Sequence, residues 1–222
     1  MITSLTQYIE GVLESESAEQ RDWRKDIPTK LYRVNHALTG LVTEIAELLA
    51  AIDRVDVDLD RVDVDVDWVN VTEELGDAWW YAAVLCDVTG HHMMIADDPC
   101  DGTPDERISA IKRRTMQLTR YVGDSFDVIK RRIYYFAEEL EDGHEKKAKA
   151  AWKKIQVQDI CVTLANLVNE AGMSLHDVWT INLLKLIGPN GRYAGKFDAD
   201  KALHRNLLAE RETLERRATD VD

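Results

Sequence analysis

The sequence predicts an all-α fold. Only four prolines and eleven glycines interrupt 222 residues, and most segments repeat their apolar residues with the 3.6-residue period of a helix. Helices are expected near 3–20, 30–53, 71–89, 105–119, 121–140, 145–171, 174–187 and 198–217. Thr72 and Ser174 stand where N-caps belong, and Gly90 and Gly172 suit helix stops. The segment 53–67, DRVDVDLDRVDVDVD, breaks the pattern, because valines alternating with aspartates have the period of a strand. A short hairpin or extended loop is expected there. Its Asp56, Asp58, Asp60 and Asp67 fall at calcium-loop positions, but Arg61 replaces the glycine that such a loop needs and Val64 occupies the ninth place, so a solvated acidic loop is expected instead.

With 45% hydrophobic and 31% charged residues, the chain reads as a soluble globular protein, one domain spanning 1–222. No run of about 18 apolar residues occurs. The start, MITSLTQYIEGVLESES, lacks the basic and apolar parts of a signal peptide, so a cytoplasmic location is expected. Cys86, Cys100 and Cys161 are odd in number and widely spaced, as buried thiols rather than disulfides or a zinc site would be. The formal net charge of −13 repels a nucleic acid backbone, so neither nucleic acid nor membrane is an expected partner. An anionic substrate would have to be brought in by cations, which points toward a divalent metal.

The chain also repeats itself. Asp124 and Asp127 follow Glu44 and Glu47 by 80 positions, and Gln156 and Asp159 follow Glu74 and Asp77 by 82. The two regions, about 30–92 and 108–197, read as diverged copies of one helical hairpin. One hairpin buries a single face, so two packed together form a four-helix core. The second copy has Gln156 at its third acidic position and is taken as the structural partner, the first as the chemical one.

Glu44, Glu47, Glu74 and Asp77 form ExxE, a gap of 26 residues, then ExxD. Residues three apart project side by side from a helix, so antiparallel packing would bring both pairs to one small volume. An ExxE alone is commonly a solvated face, but here it lies within LTGLVTEIAELLAAI, among Leu41, Val42, Ile45, Leu48 and Leu49. Like charges held there need a cation, and oxygen-only ligands select a hard ion, Mg²⁺ or Mn²⁺. A di-iron bundle would require ExxH on two helices, and the one match, Glu141 to His144, contains Gly143 and reads as a turn. His91 and His92 read as a surface pair.

The segments HALTGLVTEIAELLAAI, NVTEELGDAWWYAAV, INLLKLIGPNGRYAGKF and HRNLLAERETLE, together about half of the chain, resemble in order those of MazG-like all-alpha nucleoside triphosphate pyrophosphohydrolases, whose superfamily includes dimeric dUTPases and dCTP pyrophosphatases. The resemblance implies Mg²⁺ held by Glu44, Glu47, Glu74 and Asp77. It implies a triphosphate neutralised by Lys185, Arg192 and Tyr193 with Asn182 nearby, and cleavage to a monophosphate and pyrophosphate. Either Glu44 or Glu47 would activate the water. Lys185, Arg192 and Lys196 are also one of the few gatherings of cations in an acidic chain, although a helix end dressed for its dipole would carry them too. Tyr81 shares a face with Asp77 and points toward the substrate; His36 and the Trp79–Trp80 pair are candidates for the base. In short family members the KL…RY element directly follows the EELGD helix, whereas about ninety residues intervene here. That spacing implies a fused pseudo-dimer, with carboxylates kept in one copy and phosphate-binding cations in the other. The residues leave open the preferred base and sugar, the association of two chains, a non-hydrolysing nucleotide sensor, and an acidic helical interaction or inhibitor protein.

Overall fold

The computed structural model describes residues 4–15, 29–52, 66–91, 102–135, 153–189, 191–193, 197–204 and 206–218. The acidic segment 53–65 with Asp56, Asp58 and Asp60, the Glu141 to His144 spacing, His92, Cys100 and Lys196 lie outside them. Among the described residues all regular structure is helical, and no helix is long and apolar enough to cross a membrane.

Helix α1 (Leu5–Ser15) buries Leu5, Tyr8 and Val12 along one stripe. Helix α2 (Thr29–Ile52) buries Leu31, Val34, Leu38, Leu41, Ile45, Leu48 and Ile52, alternating steps of three and four that form a continuous apolar seam. Helix α3 (Trp68–Thr89) starts earlier than its sequence predicts. Asp67, not Thr72, caps it, accepting from Asn70 N at 3.2 Å, while the Thr72 hydroxyl donates back to Trp68 O inside the helix. Gly90 ends α3 at φ 71°, the left-handed turn foreseen for it.

Helix α4 (Pro104–Tyr135) runs unbroken where two helices, 105–119 and 121–140, were expected. The reason is its unbroken stripe, Ile111, Thr115, Leu118, Val122, Ser125 and Ile129, which passes Arg120 without a change of phase. Glu106 reaches back to its start, accepting from Thr103 N at 3.0 Å and from the Thr103 hydroxyl at 2.7 Å. Helix α5 (Val157–Glu170) is shorter than the expected 145–171, because residues 153–154 form a turn ahead of it. Arg107 of α4 donates to the carbonyls of Glu170 and Ala171, occupying acceptors that a helix end leaves open. Gly172 follows at φ 72°.

Ser174 caps helix α6 (Leu175–Ile187) as expected, accepting from Asp177 N at 3.0 Å. The expected helix 198–217 is two, α7 (Ala199–Leu203) and α8 (Leu207–Ala218). Asn206 causes the break: its side chain accepts from Ala209 N at 3.2 Å and so starts a new helix.

Helices α2, α3, α5 and α4 pack in that cyclic order, each against the next, and form a four-helix core. Helices α1, α6 and α8 cover α3 from outside, making α3 the central helix and burying residues on nearly every side of it. Cys86 of α3 and Cys161 of α5 are free thiols in this core, with sulfurs 3.6 Å apart. Two glycines test the packing. A Cβ on Gly40 of α2 would strike the Tyr81 ring, whereas one on Gly123 of α4 meets nothing within 4 Å. Gly40→Ala is expected to destabilise the protein by about 1–3 kcal/mol and Gly123→Ala to stabilise it by roughly 0.5–1 kcal/mol, both read from denaturant midpoints.

Candidate active site

Because α3 is central, each carboxylate on it must be matched. Asp87 is paired with Arg33 at 2.7 Å. Glu73 and Asp77 share Lys185, whose ammonium lies 3.2 Å from Glu73 Oε1 and 2.6 Å from both oxygens of Asp77. Glu74 differs: only 5% exposed, it hydrogen-bonds Glu44 of α2, another acid.

Glu44, Glu74 and Asp77 each place an oxygen within 4.8 Å of the others. Burial, reinforced by the neighbouring carboxylates, pushes Glu44 up to about 7 and Glu74 up to about 9. Three converging carboxylate oxygens are ligands of the kind a hard divalent cation takes, and the cluster could hold one. Glu47, the fourth residue of the expected set, stands apart: it is exposed on the same face of α2 and lines the cavity beside the cluster.

That cavity has a volume of about 320 Å³, near the lower end of ligand pockets. Carboxylates Glu44, Glu47 and Asp77 line one part, and His36, Trp80 and Tyr81 another. The three rings meet edge to face, His36 to Tyr81 at 5.5 Å and Trp80 to Tyr81 at 5.0 Å, forming an aromatic corner. Gly40 leaves room for the Tyr81 ring against α2, and burial raises the Tyr81 hydroxyl above its usual range. Trp79 faces away, fully buried and edge-on to Trp179, and is a core residue rather than part of the corner.

The end of α6 brings in the remaining residues. Gly191 folds back so closely that a Cβ would lie 2.7 Å from Leu184 O. The amides of Arg192 and Tyr193 then donate to the carbonyls of Lys185 and Leu186, each at 2.8 Å, and both side chains reach the cavity wall. Lys185 and Asn182 take another position. Both are buried beneath the cluster rather than among the lining residues; Lys185 is 1% exposed, and Asn182 donates to Asp77 Oδ1 at 2.7 Å. Expected at the substrate, they instead hold Asp77, because a central helix with several carboxylates needs an internal counter-charge more than the solvent side does. Gly76 permits this, since its missing side chain lets Asn182 Cβ approach to 3.0 Å of where a Cβ would stand.

No protein-family model, curated protein or solved structure matches this chain.

Tyr8 carries no mark in the sequence, whereas Phe197 ends the INLLKLIGPNGRYAGKF segment and Glu73 opens EELGD. Tyr8 donates to Asn182 Oδ1 at 3.0 Å and to Gly76 O at 3.2 Å, extending the network from Asp77 to α1. Phe197 lines the cavity beside Tyr193. Glu73, within the EELGD motif, lies one turn before Asp77, so the shared face was a usable signal for a common partner.

The raised carboxyls set the sign of the pH dependence. Glu44 and Glu74 hold protons in the folded state that they release near pH 4.5 when unfolded, so their contribution to stability is complete below that pH and is lost as pH rises through about 7 and then about 9. Without divalent ions, the urea midpoint is expected to fall between pH 5 and pH 9. Mg²⁺ is expected to flatten the fall, because metal binding displaces the same protons.

Proposed function

We propose that the protein is a Mg²⁺-dependent nucleoside triphosphate pyrophosphohydrolase, hydrolysing the anhydride between the α and β phosphates to give a monophosphate and pyrophosphate. The observation that carries this reading is one cavity lined by carboxylates of the cluster, the Arg192 guanidinium and an aromatic corner. These are the three recognition elements of a metal-bound nucleotide. A divalent ion held by Glu44, Glu74 and Asp77 would neutralise phosphate charge and acidify a water. Lys185 and Asn182 fix the orientation of Asp77 through hydrogen bonds to its carboxylate. Glu47, on the wall outside the three-oxygen cluster, is placed to orient the attacking water and take its proton, while Arg192 meets the phosphates and the aromatic corner takes the base. The resemblance to the MazG-like family supports the same reading.

The pseudo-dimer interpretation of the fold has its own support. Gln156 donates to Asp124 Oδ2 at 3.3 Å, so positions 124 and 156 meet in the second hairpin as Glu44 and Glu74 do in the first. There, an amide stands where the first hairpin has an acid. Asp127 is tied to Lys130 and Arg131 at 2.7 Å each, which matches a copy without a metal role.

The test is pyrophosphate release from a panel of ribo- and deoxyribonucleoside triphosphates, with Mg²⁺ and with EDTA. Metal-dependent release from one or a few substrates is expected. Silence across the panel together with a nucleotide-induced rise in melting temperature would replace the enzyme by a nucleotide sensor, and indifference to both nucleotide and metal would remove the nucleotide reading.

A further inference from the structure

The cavity's cation is not held by its own loop alone. Arg192 is clasped by Glu210 of α8: its Nε donates to Oε1 at 2.8 Å and its terminal nitrogen to Oε2 at 2.5 Å, a bidentate pair. Glu210 is 5% exposed, so the pair is shielded from the solvent that weakens surface ion pairs. Helix α8 is itself anchored: it packs on α6 and α3, and Arg211, next to Glu210, lies 3.1 Å from Asp67, the cap of α3. A guanidinium carries five N–H groups, of which Glu210 engages one edge, leaving others for an anion in the cavity. Arg192 is the one permanently charged cation among the described lining residues.

We propose that Glu210 is the positioning residue for Arg192, making the C-terminal helix α8 a working part of the anion site. The proposal rests on the reading of the cavity as a phosphate site. Without Glu210 the arginine would still be present, but its long side chain would have to be ordered by the ligand at each binding event, which costs affinity. Glu210 belongs neither to the carboxylate cluster nor to the residues that line the cavity and meets the site through Arg192, so its effect should fall on anion binding and not on metal binding.

The test uses the full chain and magnesium tripolyphosphate as probe, with binding followed by titration calorimetry. Wild type is expected to bind. Glu210→Gln, which keeps the shape but not the charge, is expected to bind at least about tenfold more weakly, while its melting temperature still rises with Mg²⁺ alone as in wild type. Arg192→Lys is expected to weaken binding similarly, and the double variant to add little to either single change. Equal binding by Glu210→Gln would reduce the pair to a structural contact and overturn the proposal. Tighter binding would also overturn it, by making Glu210 an internal competitor for the arginine. Absence of binding by wild type would remove the phosphate reading itself, a failure distinct from either.

Discussion

Replacing Glu74 by glutamine is expected to abolish Mg²⁺-dependent turnover while leaving the fold intact. Burial and its acidic neighbours already push the Glu74 carboxyl up to about 9, so near neutral pH the metal-free protein holds it largely protonated. Glutamine copies that neutral, hydrogen-bonding form, and the metal-free melting temperature should change little. What the variant loses is the ability to become an anion when a cation arrives. Changes one shell outside a metal commonly cost 10–100-fold in affinity or activity, so loss of a ligand should cost at least about a hundredfold. The matching physical readout is a melting temperature that no longer responds to Mg²⁺. Unchanged turnover in Glu74→Gln would rule out the carboxylate cluster as the site.

Lys185→Met is expected to be the most destabilising single change near the site. Its ammonium is buried against Asp77 and Glu73, whose side chains are 18% and 15% exposed, so removal strands two carboxylates in the interior. Breaking a buried pair costs about 3–5 kcal/mol, which in a chain of this size lowers the melting temperature by roughly 10 °C. The double variant Lys185→Met, Asp77→Asn should recover a large part of that loss, because it removes the nearer stranded charge. A melting temperature within a degree of wild type in the single variant would show that Lys185 does not hold the carboxylates together.

The all-helical fold was readable from the sequence because its cause is local. The seam of α2 from Leu31 to Ile52 is a repeat of threes and fours, and Ser174 and Gly90 act through bonds to their own neighbours. Helix ends were harder where two suitable residues compete. Asp67 and Thr72 are both good caps, and Trp68, packed under the Arg107 guanidinium at 5.1 Å, favours the earlier start. The division at Asn206 was missed for the same reason: an asparagine within a charged helical pattern carries no sign that its side chain caps rather than faces water. Within the site, the i, i+3 spacing of Glu44 with Glu47 and of Glu74 with Asp77 is a local signal, and three of those four residues do converge. Their counter-charges are not local. Lys185 is 112 positions from Glu73, Tyr8 is 174 from Asn182, and neither pairing leaves a trace in any window of sequence. Lys185 and Asn182, which the resemblance puts near a phosphate, have Asp77 as their partner in the structure.

The central position of α3 has a consequence for the newborn chain. Proteins emerge from the ribosome N-terminus first, so Glu44, Glu73, Glu74 and Asp77 exist long before Lys185, Asn182 or Glu210. A nascent hairpin of α2 and α3 has Glu73 and Asp77 but not the lysine that pairs with them, so burying those two carboxylates would leave them without their internal partner. The order of synthesis therefore runs against the order of electrostatic need. Glu73 and Asp77 thus gain their internal counter-charge only after more than a hundred further residues have been added, when Lys185 arrives.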